Sequence, residues 1–156
     1  MKRTLLLIGL LIVGLAHFAS RGEASELFPA KDSNLRVFGT YLDQADKQWG
    51  GGLGLDYFFS SYIGIGLSGH VEDIEGTAVD NLASELYLRW PLEKLHLAPY
   101  AVGAAGYEFG NQKWFQAVGG GVELRFSKRF GMFADYQYVF HEDYDDNVIR
   151  AGIRLR

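Results

Sequence analysis

The feature that most constrains this chain is an alternation of residue types. In its closing stretch, IRAGIRLR, Ile149, Ala151, Ile153 and Leu155 fall on one parity, and Arg150, Gly152, Arg154 and Arg156 on the other. A β-strand sends successive side chains to opposite faces, so this segment has one apolar and one cationic face. The pattern recurs upstream. One parity carries Leu53, Leu55, Ile63, Ile65, Leu67, Val71, Leu82, Leu86, Leu88, Val122, Leu124 and Ala134, with Ser84 as a lone hydroxyl among them. The other carries Asp56, Glu72, Glu85, Glu108, Glu123 and Asp135, together with Arg36, Arg89, Arg125, Arg150 and Arg154. Ser68, His70, Gln137 and glycines 52, 54, 64, 66, 119 and 121 share that second face.

Eight such segments can be delimited. They are 36–43, 51–59, 63–72, 81–90, 100–109, 114–126, 130–141 and 148–156. Their lengths lie near the 9–11 residues of a tilted membrane strand. The connectors alternate between two ends. Ser60-Ser61, Pro91 to His96 and Ser127 to Arg129 lie at one end; Gln44 to Lys47, Asp73 to Asp80, Gly110 to Lys113 and Glu142 to Asn147 lie at the other. Short links between neighbours give an antiparallel meander, and an even number of strands can close into a barrel. Twenty glycines and 15% aromatic residues, with three prolines, suit many strands joined by tight turns.

Three observations decide which face looks inward. The charged face is nearly balanced, and arginine alone supplies its cations, as a closed interior requires. Glycines sit among those charges, and an eight-stranded interior is just wide enough for side chains to fill. Aromatics bracket the apolar face: Tyr57, Phe59, Trp90, Phe126 and Phe130 at one rim, and Tyr41, Trp49, Tyr107, Phe109, Trp114, Tyr138 and Phe140 at the other. Two aromatic girdles around an aliphatic band belong to a membrane barrel. The arginines are therefore expected inside and the isoleucines against lipid.

The amino terminus has the layout of a secretory signal peptide. Lys2 and Arg3 precede an uncharged apolar run, Leu5 to Ala16, and Gly22-Glu23-Ala24 supplies a small-residue cleavage site. The run ends at His17 and Arg21, short of the roughly 20 apolar residues of a spanning helix. The expected division is a signal peptide over 1–24, a short periplasmic tether over 25–35, and an outer-membrane barrel over 36–156. The net charge of −4 offers no basic surface for nucleic acid. Without cysteine the chain has neither disulfides nor thiolate metal ligands.

The segments LAPYAVGAAGYEFG, GGGVELRFSKRFGMFADYQYVF and NVIRAGIRLR carry a resemblance. Over residues 35–156 the chain resembles the small eight-stranded outer-membrane barrels of the OmpA transmembrane-domain and OmpX type. The resemblance implies an all-β, up-and-down transmembrane barrel in the cell outer membrane of a Gram-negative-type envelope. It also implies outer-membrane lipids, lipopolysaccharide and the barrel-assembly machinery as partners, and a monomer. The family's last residue is usually an aromatic that serves assembly. Here Leu155 and Arg156 occupy that end, so either a further residue or altered assembly recognition is expected.

The motifs that could carry chemistry are few. Ser68, His70 and Glu72 share one face of the third segment. Residues two apart on a strand are about 6.5–7 Å apart, whereas a nucleophile and its base must come within about 3.2 Å. In the deacylases among outer-membrane barrels His precedes Ser, the reverse of this order. Asp143, Asp145 and Asn147 open like a calcium loop, but Val148 replaces its glycine and Arg154 its closing glutamate. GGGLG (50–54) and GGG (119–121) open no helix and are not phosphate loops. No catalytic, cofactor-binding or metal-ligating residue is therefore assigned, and no cofactor. The expected function is a structural or interaction role with a salt-bridged, plugged lumen. The alternatives are a narrow pore for water or small ions, a lipid-modifying enzyme, and a soluble periplasmic lipid-binding barrel.

Overall fold

A computed structural model describes residues 25–42, 48–71, 80–110, 112–141 and 145–156. The proposed signal peptide and the residues Glu72 and Asp143 lie outside the described residues. The eight strands are β1 (Asp32–Leu42), β2 (Gln48–Phe58), β3 (Ile63–Val71), β4 (Asn81–Arg89), β5 (Leu97–Glu108), β6 (Lys113–Arg125), β7 (Phe130–Phe140) and β8 (Asp145–Leu155). A 3-10 turn, Glu93–Leu95, lies between β4 and β5. Each strand pairs antiparallel with its neighbours in sequence, and β8 returns to pair with β1, so the barrel is closed. Closure leaves no strand edge with unpaired backbone groups, which is the condition for spanning hydrocarbon.

The register fixes the tilt. A chain of paired residues that leaves Asp32 passes through Phe58, Gly64, Tyr87, Val102, Gly119, Gln137 and Val148. It returns to β1 at Leu42, at the opposite end of the strand from Asp32. A stagger of that size tilts the strands by about 40° to the barrel axis, within the usual range for closed sheets. Every residue on this path faces inward, so the tilted row winds through the lumen as well.

All eight expected segments are strands, with shifted ends. β1 begins at Asp32 rather than Arg36, so the segment read as a tether is partly barrel wall. β5 begins at Leu97, before Pro99. The Pro99 carbonyl accepts from Trp90 N at 2.8 Å, so proline here costs a donor without ending the strand.

The polarity of the barrel is inverted: aliphatics dominate the outer wall, and every buried ion pair among the described residues lies inside. Leu53, Leu55, Leu67 and Leu86 are all more than half exposed on the outer wall, whereas Arg36, Arg125, Arg154 and Glu123 have no exposed surface. A soluble carrier would need the reverse arrangement, because apolar side chains in water lose the burial that drives folding. The structure thus corrects the soluble-barrel alternative.

Candidate functional site

The lumen is where the chain concentrates its chemistry. Alternation turns every second side chain inward, and on several strands these are charged or aromatic: Arg36 and Phe38 from β1, Asp56 and Phe58 from β2, Glu85, Tyr87 and Arg89 from β4. Arg36 Nε lies 2.9 Å from Asp56 Oδ1, and its Nη2 meets Glu85. Glu85 also accepts from Arg150 Nη1 at 2.6 Å, and Arg150 reaches Asp135 at 2.8 Å. Asp56 continues to Arg154 at 3.1 Å, and Arg154 meets Glu123. Glu123 is shared with Arg125 and with Arg89, the latter at 3.4 Å. Arg125 then approaches Asp32 at 3.7 Å, and Asp32 holds Arg156 at 2.8 Å. The result is one continuous chain of ion pairs from Asp135 to Arg156.

Buried charge is costly unless lone pairs and protons are satisfied. The surrounding residues supply part of this, while Arg36 Nη1, Arg89 Nη2 and Arg125 Nη1 find no hydrogen-bond partner among the described residues. Tyr87 donates its hydroxyl to Glu85 at 2.7 Å, Tyr100 to Asp135 at 2.8 Å, and Ser68 to Glu85 at 3.2 Å. Arg125 Nη2 donates to Asn34 Oδ1 at 2.8 Å, and Arg89 Nε to the Ser61 carbonyl at 3.0 Å. Rings lie against the guanidinium planes: Phe58 is 3.7 Å from Arg89, Tyr87 5.4 Å from Arg36, and Phe133 5.4 Å from Arg154. Glycine makes the room. A Cβ at Gly54 would sit 2.7 Å from Arg36 Nη2, and one at Gly66 2.6 Å from Asp56 Oδ1.

The sequence reading placed aromatics only at the outer rims. It missed Phe38, Phe58, Tyr87, Tyr100 and Phe133, all buried in the lumen. Their parity was the available signal. In ELYLR (85–89), Tyr87 sits midway between Glu85 and Arg89 on the charged face.

The two ends of the lumen differ. At the end of the longer connectors, Leu42, Phe115, Val139 and Val148 form an apolar cluster. His141 lies beside it, 3.5 Å from Glu108 and 3.7 Å from Asp146. A cavity of about 40 Å³ opens there, lined by Ser68, His70, Asn81, Glu108 and His141 among others. At the opposite end, the amino-terminal segment closes over the mouth. Ser25 Oγ donates to Glu93, Leu27 N donates to Glu93 Oε1 at 3.1 Å, and Phe28 N donates to Ser25 Oγ at 2.9 Å. Phe28 is fully buried, its ring 5.1 Å from Arg89. The hydrogen bond from Ser25 holds the Glu93 carboxyl below its ordinary range.

The motifs that invited chemistry have other partners. Ser68 donates to Glu85, and His70 Nε2 lies 2.6 Å from Asn81 Nδ2; both line the cavity without forming a described Ser–His hydrogen bond. Asp145 accepts from the Tyr138 hydroxyl at 2.7 Å, and Asn147 from that of Tyr136. Gly52 and Gly119 are wall residues of β2 and β6. Among the described residues no group of three His, Asp or Glu side chains is placed to hold a metal ion.

A closed eight-stranded barrel with aliphatics outside and ion pairs inside has known counterparts. The fold is that of the small outer-membrane barrels. The N-terminal β-barrel domain of Pseudomonas aeruginosa OprF is similar with a TM-score of 0.62 and 14% identity, over 81% of this chain and 97% of that one. Neisserial surface protein A is similar with a TM-score of 0.58 and 11% identity, over 79% and 94%. The de novo designed barrel TMB2.3 has a TM-score of 0.59 at 20% identity, over 80% and 94%. No family model and no curated protein matches the sequence. At such low identity, this barrel shares with its neighbours an architecture set by alternation and register, with different residues on the walls.

Proposed function

We propose that this chain is an integral protein of the outer membrane, with a lumen closed by its own side chains and a structural or interaction role. The ion-pair chain from Asp135 to Arg156 carries the reading. It crosses the lumen repeatedly, joining β7, β8, β4, β1, β2 and β6, so ions would have to displace paired charges to pass. Outward Trp49, Trp114, Phe59 and Phe126 support seating between two lipid–water interfaces. The proposed surroundings are outer-membrane lipids and lipopolysaccharide, reached through the assembly machinery, with the barrel acting as a monomer. No catalytic role is proposed. Ser68 hydrogen-bonds to Glu85 inside the lumen, away from a lipid substrate.

The test is a planar-bilayer recording on the refolded chain, with heat-modifiable gel migration confirming the closed barrel. A closed, inserted barrel without events above baseline is the expected result. A narrow pore is the second reading, favoured by the cavity between Ser68 and His141 as a vestibule. Steady single-channel conductance would establish it and displace the first. Unchanged lipid A mass on expression of the wild type and of Ser68→Ala is expected; a wild-type-specific change would restore the enzyme alternative.

A further inference from the structure

The mouth closed by Phe28 also carries an exposed cluster of cations. Lys31 precedes β1, Lys128 and Arg129 form the turn from β6 to β7, and Arg156 follows β8. The structure brings these positions together. Arg156 N donates to the Arg129 carbonyl at 2.9 Å, Arg156 Nε reaches Asp32, the neighbour of Lys31, and Lys128 Nζ lies 3.6 Å from Glu26. Three carboxylates at this mouth, Asp32, Glu26 and the Ser25-bonded Glu93, offset part of this charge. Asp32 is engaged by Arg156, and Glu26 meets Lys128 in a wide, largely exposed pair. Such an exposed pair is worth little. Lys31 and Arg129 are exposed, and no carboxylate pairs with them among the described residues.

The cluster lies just beyond an outward aromatic pair. The outward rings of Phe126 and Phe130 stack with centroids 5.7 Å apart and flank the Ser127-Lys128-Arg129 turn. Aromatic rings mark the interface, and cations just beyond them meet phosphates. The turn itself is tied down, with Ser127 Oγ accepting from Arg129 N at 3.2 Å and Phe130 N at 3.1 Å. The cations are therefore presented on a fixed loop. The opposite end has the opposite sign: its connector HEDYDDN (141–147) is acidic.

We propose that Lys31, Lys128 and Arg129 form a binding surface for an anionic phospholipid headgroup in the leaflet at the short-turn end of the barrel. This rests on the membrane reading above and adds a lipid preference and a leaflet to it. A phosphodiester bearing net negative charge gains from all three cations, whereas a zwitterionic headgroup brings its own ammonium into the same field. Each cation near such a surface changes affinity by roughly fivefold.

The experiment offers the refolded full chain in detergent an equimolar mixture of phosphatidylglycerol and phosphatidylcholine with identical acyl chains. Native mass spectrometry reads the lipid retained. The wild type is expected to retain phosphatidylglycerol in at least fivefold excess, by the same per-cation effect. Lys31→Gln/Lys128→Gln/Arg129→Gln is expected to lose that excess, and Lys31→Arg/Lys128→Arg to keep it. Should the neutral variant fail to close, salt serves instead. The wild-type preference is expected to fall when the Debye length is cut from about 10 Å to about 3 Å. Equal retention of both lipids by a closed wild-type barrel overturns the proposal, as does a preference unmoved by the neutral variant or by salt. Heat-modifiable migration separates these outcomes from failure of the barrel itself, since a chain that never closes overturns the membrane reading instead.

Discussion

Asp135 on β7 and Arg150 on β8 are direct register partners, and their side chains meet in a two-pronged ion pair, Nε to Oδ1 at 2.8 Å and Nη2 to Oδ2 at 3.0 Å. The third nitrogen of the fork, Nη1, crosses the lumen to Glu85 on β4 at 2.6 Å. One guanidinium thus joins a local seam to a strand on another side of the barrel. Arg150→Met would leave two buried carboxylates short of a partner. The expected loss is about 3–5 kcal/mol, read as a fall in the urea midpoint of the heat-modifiable band. Arg150→Lys keeps the charge without the fork and should fall between. Adding Asp135→Asn to Arg150→Met should recover part of the loss, because one uncompensated charge goes with it.

The glycines separate by what a methyl group would meet. At Gly152 a Cβ would lie 2.1 Å from the Val37 carbonyl oxygen and 2.6 Å from Phe38 Cα, both backbone atoms of β1. Gly152→Ala must displace a strand and is expected to cost about 1–3 kcal/mol. Gly110 has nothing within 4 Å, so Gly110→Ala should stay within about 0.5 kcal/mol. Comparable losses for the two would contradict the β1–β8 packing.

Lipid-facing positions should respond to charge by depth. Leu67 lies midway along β3 and faces outward. Leu67→Arg is expected to cost about 2–4 kcal/mol in vesicles, and Trp114→Arg at the rim about 1 kcal/mol or less. Folding titrations into lipid vesicles would measure both. A harmless Leu67→Arg would refute the outward assignment.

Phe28 holds the amino-terminal segment in the mouth. Phe28→Ala removes a fully buried ring from beside Arg89. Tryptic cleavage at Lys31 is expected to accelerate severalfold, while migration of the closed barrel changes little. Unchanged cleavage would show that the hydrogen bonds to Glu93 suffice alone.

The Glu93 anchor should be sensitive to acid. Its carboxyl is held below the ordinary glutamate value, first by the Ser25 hydrogen bond. A carboxylate depressed in the docked state contributes docking stability above its undocked value, and that contribution disappears as pH falls through the depressed one. Protection of the Leu27 and Phe28 amides from hydrogen exchange should therefore hold above about pH 4.3 and decline below it. Glu93→Gln should remove the pH dependence.

Much of the barrel was legible because strand alternation has a period of two and needs no knowledge of partners. Leu86 outside and Glu85 inside follow from adjacent positions in one strand once the polarity of the environment is decided. The ends of the strands were less legible. Asp32 and Asn34 read as polar linker, yet both are buried beneath Arg125, which a distant segment supplies. Phe28 was invisible for the same reason: its pocket is made by Arg89 and Arg125, from β4 and β6.

The sequence by itself determined two faces and their order along the chain: aliphatics on one parity, charges and glycines on the other. Only the tertiary structure decided which arginine answers which acid. Asp135 and Arg150 lie on consecutive strands, but Glu85 joins them through closure of the sheet and its stagger, and Arg36 comes to Glu85 from β1 across the same lumen. Alternation is a local property of the backbone, whereas pairing across a lumen depends on how far each strand has slid against the next, and that is settled only when the last strand meets the first.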